Sequence, residues 1–216
     1  MISDDIIPVW KETGITSYDV VDRIKSLHKG VKVGHCGTLD PFAEGVLIIC
    51  KGDAIKSVEK FMNLPKEYKA TITLGLETDT LDNTGDVIKI DKKIPLLDED
   101  YIIDTLNKFK GEQLQTPPYF SALKFKGINL YKYARKGIFI RKRPRKIFID
   151  TIKFVDYKDS KITFLVTCSK GTYIRSLAKD IAVSLNTYGH LSKLVRTSVG
   201  PYNIKNTYNL NTLLLQ

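Results

Sequence analysis

One carboxylate of this sequence stands where a rigid backbone could hold it for catalysis. Asp40 lies in the string GHCGTLDPFAEGVL, which covers residues 34–47 and contains three glycines and a proline. Glycine permits tight turns, and the proline after Asp40 restricts the backbone at that point. A carboxylate with an unperturbed pKa of ~3.9 is ionised at neutral pH, and it can attack an electrophilic carbon or accept a proton. The alternative for any Asp-Pro pair is a turn residue bonded to nearby N–H groups.

Apolar patterns around Asp40 predict the elements that must hold its loop. The unbroken apolar run over residues 46–50 predicts a buried strand. Upstream, residues 6–10 predict a short strand. Apolar residues at helical spacing then predict a helix over 18–28, with Ser17 as its N-cap. The loop is therefore expected between regular elements on both sides.

Two later segments also carry candidate residues. Residues 66–75 alternate like a strand with one solvent-facing side, and Tyr68 lies at its start. An isolated tyrosine in a strand is by default a packing residue. Residues 169–180 pass from a strand to a helix through a glycine, which puts Arg175 in the first helical turn. The plain alternative for this arginine is an exposed residue paired with Asp180 or with nothing.

The sequence predicts neither a metal nor a cofactor. Four carboxylates lie within residues 77–86, but the order of an EF-hand is absent and we predict an exposed turn there. The three histidines and three cysteines form no Cys-x-x-Cys or other zinc-ligand pattern. A phosphate-binding Gly-x4-Gly-Lys-Ser/Thr motif is also missing.

Composition favours a polyanionic partner and a reducing compartment. The 216 residues carry a net charge of +10, and Lys and Arg displace counterions from phosphates. Composition alone does not separate RNA from DNA or from a membrane surface. No uncharged apolar run reaches the ~18 residues of a membrane span, and the N-terminus lacks the basic-then-apolar order of a signal peptide. With an odd number of cysteines, these features predict a cytoplasmic protein without a membrane partner.

The most one-sided charge of the chain lies over residues 124–146. This stretch has ten basic residues and no acidic one, whereas a solvated face normally mixes both signs. It includes Lys124, Arg141 and Arg143, with aromatic side chains interleaved. Aromatic rings among cations suit stacking on unpaired bases as well as contact with phosphates. We predict a nucleic-acid contact here, and a plain basic surface hairpin is the alternative.

Together these motifs resemble those of the TruB family of tRNA pseudouridine synthases, in order and over essentially all of residues 9–216. The string around Asp40 is similar to the catalytic motif of that family. Four further segments resemble family motifs: residues 11–17, 121–137, 168–175 and 189–197, of which 121–137 matches at nearly every fixed position and 168–175 is almost identical. The first of these has Glu12 where the family has proline.

The resemblance implies a fold, a domain organisation and a partner. The expected fold is α/β (α+β): a mixed, mostly antiparallel central sheet flanked by helices, with a basic thumb inserted at about residues 115–146 that closes on RNA. Residues 1–216 would form a single catalytic domain without the C-terminal RNA-binding (PUA-like) extension of bacterial relatives. The expected substrate is uridine 55 in the T-loop of tRNA, bound through T-loop and T-stem by a monomer.

The resemblance also implies roles for individual residues. Asp40 would be the catalytic carboxylate, Arg175 its ion-pair partner, and Tyr68 the residue that stacks on the uracil and serves as the base at C5. His35 would fill the space left by the flipped base, and Leu194 would pack in the uracil pocket. The expected substrate contacts are His35, Tyr173, Leu194, Lys124, Arg141 and Arg143. The structural alternatives are a hydrogen-bonded loop histidine for His35 and a core leucine for Leu194.

Pseudouridine formation breaks the bond between ribose C1′ and uracil N1 and rejoins the base through C5, so it needs no added group and no cofactor. Asp40 could attack C6, attack C1′ or abstract the 2′ proton, and the sequence leaves all three open. Two other classes remain. One is a catalytically silent RNA-binding or tRNA-folding protein of the same fold. The other is a different base-flipping enzyme, such as a glycosylase with Asp40 as nucleophile. A pseudouridine synthase that depends on a guide RNA is a further alternative within the same reaction class.

Overall fold

The computed structural model describes residues 5–213 of the chain. The strands within this range are β1 (Ile6–Lys11), β2 (Val33–His35), β3 (Glu44–Lys51), β4 (Lys66–Leu74), β5 (Leu76–Thr78), β6 (Val87–Ile90), β7 (Gly111–Gln115), β8 (Lys124–Phe125), β9 (Ile128–Asn129), β10 (Arg145–Lys158), β11 (Lys161–Cys168), β12 (Gly189–Val199), β13 (Tyr202–Asn203) and β14 (Tyr208–Asn209). The helices are α1 (Ser17–Leu27), α2 (Val58–Asn63), α3 (Glu99–Asn107), α4 (Leu130–Ala134), α5 (Ile174–Ser184) and α6 (Leu210–Leu213), with 3-10 turns at Gly52–Ser57 and Ile204–Asn206.

These elements confirm the predicted α+β class with a mixed, mostly antiparallel sheet. Antiparallel pairs include β1 with β3, β2 with β3 and β7 with β10, whereas β1 with β14 and β3 with β12 are parallel. The described residues fall into two compact units. Unit 1 is drawn from Met1–Lys69, Thr167–Lys170 and Lys193–Gln216, and unit 2 from Ala70–Val166 and Gly171–Ser192. The expected single catalytic domain stays a prediction.

Strand β3 is the centre of unit 1, where the strand order runs β14, β1, β3, β12. Leu47 and Ile49 pack in one apolar cluster with helix α1, and Val46 and Ile48 pack in a second cluster that contains Phe61 of helix α2. A strand covered on both faces reads as a continuous apolar run rather than an alternating one. The predicted buried strand over 46–50 is therefore confirmed.

Helix α1 confirms the predicted helix but corrects its cap. The hydroxyl of Thr16 accepts the N–H of Asp19 at 3.0 Å, and the Asp19 carboxylate accepts the N–H of Thr16 at 2.7 Å. This reciprocal pair is a capping box. Ser17 lies inside the first turn and is buried, so its prediction as the N-cap was wrong. Two adjacent hydroxyl residues fit a cap equally well, and only the backbone geometry distinguishes them.

Unit 2 is built on β11, β10 and β7, which are neighbours in that order. Helix α3 packs against β10, and its Ile102 and Leu106 are buried, as is Ile149 of β10. Helix α5 buries the stripe that includes Leu177 and Ile181, whose four-residue spacing places them on one helix face. This packing fixes the first turn of α5, where Arg175 lies.

The segment predicted as the thumb, about residues 115–146, contains little regular structure. Strands β8 and β9 form a short hairpin, with Phe125 opposite Ile128, and the five-residue helix α4 follows. Residues 138–144 have no helix or strand. Across residues 5–213, none of the helices is both long enough and apolar enough to cross a lipid bilayer.

Candidate active site

Asp40 stands at the start of a tight turn that leads into strand β3. The N–H of Ala43 donates to the carbonyl of Asp40 at 3.1 Å, and Pro41 occupies the first central position, which suits its fixed φ. The carbonyl of Pro41 accepts the N–H of Gly14 at 2.7 Å. Asp40 is half-buried. The turn therefore fixes the backbone of this residue while leaving part of it exposed.

Two side chains near the start of α1 anchor the same loop. The hydroxyl of Ser17 accepts the N–H of Leu39 at 2.9 Å and donates to its carbonyl at 3.0 Å. The ammonium of Lys11 is fully buried and donates to the carbonyl of Pro41 at 3.4 Å and to two carbonyls of its own segment at 2.8 Å. Burial lowers the pKa of Lys11 to about 8, against the opposing charge of Asp40. The backbone on both sides of Asp40 is thus hydrogen-bonded to the segment of residues 11–17.

Arg196 of strand β12 also binds this loop, a role that sequence reasoning missed. Its side chain is only 1% exposed, and its guanidinium donates to the carbonyls of Val46 at 2.7 Å, Gly37 at 3.2 Å and Thr38 at 3.4 Å. Strand β12 contains several other polar residues, so Arg196 has no local signal of such a role. Its partners lie far away in the sequence, so no motif spacing indicates them.

Tyr68 lies on β4 with 8% of its surface exposed. Burial raises the pKa of its hydroxyl. The nearby positive charge of Arg196 lowers this pKa, and the negative charge of Asp40 raises it. Tyr68 is therefore neutral at neutral pH and close enough to Asp40 and Arg196 to respond to their charges. Its predicted roles at the uracil and at C5 stay predictions.

His35 and Leu194 are the other predicted residues of unit 1. His35 is half-buried at the end of β2, and burial, then the charge of Arg196, lowers its pKa. Its Nδ1 is buried without a hydrogen-bond partner among the described residues. Leu194 on β12 is 5% exposed, which suits either a core leucine or the wall of a pocket. The predicted roles of both residues toward RNA stay predictions.

Arg175 is buried rather than exposed. Its guanidinium donates to the carbonyls of Thr80 at 2.8 Å and Phe120 at 2.9 Å, and it lies 3.4 Å from the carboxylate of Asp82. The prediction of an exposed turn over residues 77–86 was therefore wrong at its centre, since Asp82 is 4% exposed. Asp82 is buried as the ion-pair partner of the buried Arg175. The local sequence around Asp82 does not show that partner.

Tyr173 precedes helix α5 and is held through its backbone. The side chain of Gln115 accepts the N–H of Tyr173 at 2.8 Å and donates to its carbonyl at 3.1 Å. Gln115 is buried, so this two-point contact fixes the entry into α5. Sequence reasoning did not single out Gln115, because an amide in a polar string carries no local signal. The contact of Tyr173 with substrate stays a prediction.

The predicted cationic residues lie at the surface of unit 2. Lys124, Arg141 and Arg143 are exposed and line an open cavity of about 220 Å³. The ammonium of Lys142 lies 3.0 Å from the ring centre of Tyr119, in the range of a cation–π contact. Exposed cations beside aromatic rings match what contact with a nucleic acid requires. Among the described residues, no group of three or more His, Cys, Asp or Glu is arranged to hold a metal ion.

The predicted catalytic and substrate-binding residues divide between the units. Asp40, Tyr68 and Leu194 belong to unit 1, and Arg175 and Tyr173 belong to unit 2. In unit 1, a carboxylate on an anchored turn stands near a buried neutral tyrosine, which suits attack or proton transfer at a bound base. The predicted pairing of Asp40 with Arg175 takes one residue from each unit and stays a prediction.

Comparison with known proteins gives one family. The family described as TruB family pseudouridylate synthase (N terminal domain) matches residues 25–174. The chain is 46% identical over 208 residues to tRNA pseudouridine synthase B of Clostridium tetani, covering 96% of this chain and 72% of that protein. The protein of the same name from Caldanaerobacter subterraneus subsp. tengcongensis is 42% identical over 214 residues, covering 99% and 75%.

Comparison with solved structures gives similar chains. A chain in the crystal structure of a Cbf5-Nop10-Gar1 complex is similar with a TM-score of 0.75 and 30% identity, over 97% of this chain and 53% of that one. A chain in an H/ACA RNP bound to a substrate RNA containing 2'-deoxyuridine has a TM-score of 0.73 and 28% identity, over 99% and 53%. This chain spans about half the length of both. By its motifs, its fold and these matches, the chain belongs to the TruB family of pseudouridylate synthases.

Proposed function

We propose that this chain is a tRNA pseudouridine synthase that isomerises uridine 55 in the T-loop of tRNA, with Asp40 as the catalytic carboxylate. The observation that carries the proposal is the anchored turn at Asp40. Hydrogen bonds from Ser17 to Leu39, and from Gly14 and Lys11 to Pro41, tie the backbone on both sides of this carboxylate. Such positioning is worth several orders of magnitude in rate.

The reaction is balanced without any added reagent. The bond from C1′ to N1 breaks, a bond from C1′ to C5 forms, the hydrogen at C5 leaves as a proton, and N1 gains one. Asp40 acts either on C6, on C1′ or on the 2′ proton, and each route uses a carboxylate within reach of the sugar and base. No cofactor and no metal ion enter this scheme.

Three other residues complete the proposed site. Tyr68 stacks on the uracil and, once its hydroxyl has given up its own proton, serves as the base that accepts the proton from C5, and Leu194 forms part of the wall of the pocket. Arg175 pairs with Asp40 and keeps the carboxylate ionised and aimed. The buried, carbonyl-bound state of Arg175 supports this role, because its guanidinium is already held in place by the backbone.

The target base must leave its stack to reach the site, at a cost of a few kcal/mol. In this proposal, His35 fills the vacated space in the RNA loop, and its half-buried neutral ring supports that role. Tyr173, Lys124, Arg141 and Arg143 contact the tRNA, with the last three on the thumb. The one-sided charge of residues 124–146 supports binding to a polyanion.

The proposed protein works in the cytoplasm as a monomer with tRNA as its partner. The names of the curated relatives support tRNA as the substrate. The protein would form one catalytic domain, with the thumb at about residues 115–146 as an insertion. Size-exclusion chromatography with light scattering, with and without tRNA, checks the monomer.

Release of tritium from tRNA labelled at C5 of uridine tests the proposed function. Rejoining the base through C5 expels this hydrogen, so the wild-type chain is expected to release it and Asp40→Asn is not. Both proteins should bind the tRNA with similar affinity. Release by Asp40→Asn would exclude Asp40 as the catalytic carboxylate. Tight binding without release by wild type would favour a silent RNA-binding protein, and appearance of free uracil would favour a glycosylase.

A further inference from the structure

Arg196 is a buried cation that the proposed reaction does not use. It lies on strand β12 with 1% of its surface exposed. Its Nε donates to the carbonyl of Val46 at 2.7 Å, Nη2 to that of Gly37 at 3.2 Å, and Nη1 to that of Thr38 at 3.4 Å. In the sequence, these three carbonyls flank Asp40, two before it and one after it.

The partners of Arg196 make it an unusual core residue. Within the part of the chain that the structure describes, no ion pair joins its guanidinium to a carboxylate. Removing a cation from water without a counterion is costly, and an apolar side chain would fill the same space without that cost. What an arginine adds is a planar fork of donors that holds several carbonyls at fixed spacing.

The backbone of Arg196 is as tightly fixed as its side chain. Strand β12 runs beside β3, with Arg196 opposite Gly45. A side-chain carbon added at Gly45 would lie 2.3 Å from the carbonyl oxygen of Arg196 and 2.6 Å from its nitrogen. Since β3 is buried on both faces, the arginine extends from a rigid support toward the loop.

The same guanidinium reaches Tyr68. Burial is the main cause of the raised pKa of the Tyr68 hydroxyl, and the nearby charge of Arg196 opposes that rise. One side chain therefore holds the loop that carries the carboxylate and lies close enough to the tyrosine for its charge to act on the hydroxyl. Lys11 and Ser17, also in unit 1, contact the same loop at Pro41 and Leu39 instead.

We propose that Arg196 is a positioning residue that sets the geometry between Asp40 and Tyr68, by holding the carbonyls of Gly37, Thr38 and Val46 in the Asp40 loop while its guanidinium lies near the Tyr68 hydroxyl. This inference rests on the proposed function, in which both residues act on one uracil. Arg196 touches neither base nor sugar, and it acts on the reaction through the two residues that do.

The test compares Arg196→Gln and Arg196→Lys with wild type. For Arg196→Gln, the single-turnover rate of tritium release should fall at least about 100-fold, the scale of a misplacement near 1 Å. Affinity for unmodified tRNA should change less than about threefold, because binding does not depend on this geometry. Arg196→Lys keeps the charge without the fork, and it should recover part of the lost rate.

Coupling to Tyr68 distinguishes positioning from general stability. If Arg196 acts through the tyrosine, Arg196→Gln should cost less rate in a Tyr68→Phe background than in wild type. Ile24→Ala is the matched control, since it opens a cavity in the apolar cluster on α1 and lowers stability without touching the loop. At a temperature where all variants are folded, Ile24→Ala should keep its rate.

Amide hydrogen exchange supplies a readout that needs no activity. The N–H of Cys36 donates to the carbonyl of Ile48 on β3 at 2.8 Å, and that of Ala43 to the carbonyl of Asp40 at 3.1 Å. Both should exchange faster in Arg196→Gln than in Ile24→Ala. Unchanged exchange, or a rate within about threefold of wild type in a folded Arg196→Gln, would overturn the inference. If Arg196→Gln does not fold, a wild-type rate for Arg196→Lys would also overturn the inference. Absence of release by wild type would count against the proposed function alone, since exchange still tests Arg196.

Discussion

The guanidinium of Arg175 lies 3.4 Å from the carboxylate of Asp82, and both side chains are about 6% exposed. The other carboxylate oxygen of Asp82 accepts hydrogen bonds from the hydroxyls of Thr80 and Thr84 at 2.8 and 2.6 Å. The acidic segment before β6 thus contains a buried, fully engaged carboxylate. In unit 2, this carboxylate compensates the charge of an arginine that the proposed reaction needs.

Removing Asp82 should therefore destabilise the chain. Asp82→Ala leaves a buried arginine without this counterion, and we expect a loss of about 3–5 kcal/mol in the free energy of unfolding. Asp82→Asn keeps an acceptor for the threonines and should cost less, about 1–3 kcal/mol. Urea denaturation measures both. The control is Asp86→Ala, because Asp86 is an exposed carboxylate of the same segment; an equal loss in this variant would contradict the buried-pair explanation.

Two substitutions of Tyr68 separate its ring from its hydroxyl. Tyr68→Phe keeps the buried ring and should bind tRNA normally while losing most turnover, since the hydroxyl carries the proton step. Tyr68→Ala removes the ring as well and should lose all activity and about 3–5 kcal/mol of stability. Tritium release and tRNA binding measure the first effect, and thermal unfolding the second. Normal turnover by Tyr68→Phe would reduce the hydroxyl to a structural role.

Neutralising the thumb should alter the salt dependence of tRNA binding. The triple variant Arg141→Gln, Arg143→Gln, Arg145→Gln removes three exposed cations. Each lost phosphate contact lowers the slope of log affinity against log salt by about 0.7–0.9, so we expect a total reduction of about 2–3. Binding titrations across several salt concentrations measure the slope.

The control for the thumb removes the same charge elsewhere. Lys153, Lys158 and Lys161 are exposed on β10 and β11, outside the thumb. Their triple replacement by glutamine should leave the slope nearly unchanged. If both triple variants reduce the slope equally, net charge rather than the thumb determines affinity.

Gly45 should tolerate no side chain. Its φ is +125°, and an added carbon would meet the backbone of Arg196 at 2.3 Å. Gly45→Ala is expected to cost more than about 3 kcal/mol, because the contact is with backbone that cannot move aside. Gly30 has a φ of +81° with nothing within 4 Å, so Gly30→Ala should cost only the ~1–2 kcal/mol of its backbone conformation. Equal losses in chemical denaturation would show that conformation, not contact, dominates.

The sequence by itself determined the strand after Asp40, the helix before it and the family. An unbroken apolar run, helical spacing and a string of fixed residues are local patterns. Each can be recognised within a single stretch of the sequence. The positions of Asp40, Tyr68 and Arg175 in their elements followed from the same patterns. Even so, the local pattern misassigned the cap of α1, because Thr16 and Ser17 are equivalent in composition.

Only the tertiary structure decided what holds these residues. Arg196 binds carbonyls 150 to 159 positions away, and Arg175 is bound to a carbonyl 95 positions away. Ser17 bonds to Leu39 of a distant loop, and Asp82 is buried beside Arg175, 93 positions away. A hydrogen bond between distant segments depends on how the chain brings them together. It therefore leaves no periodicity or spacing in either segment from which it could be predicted.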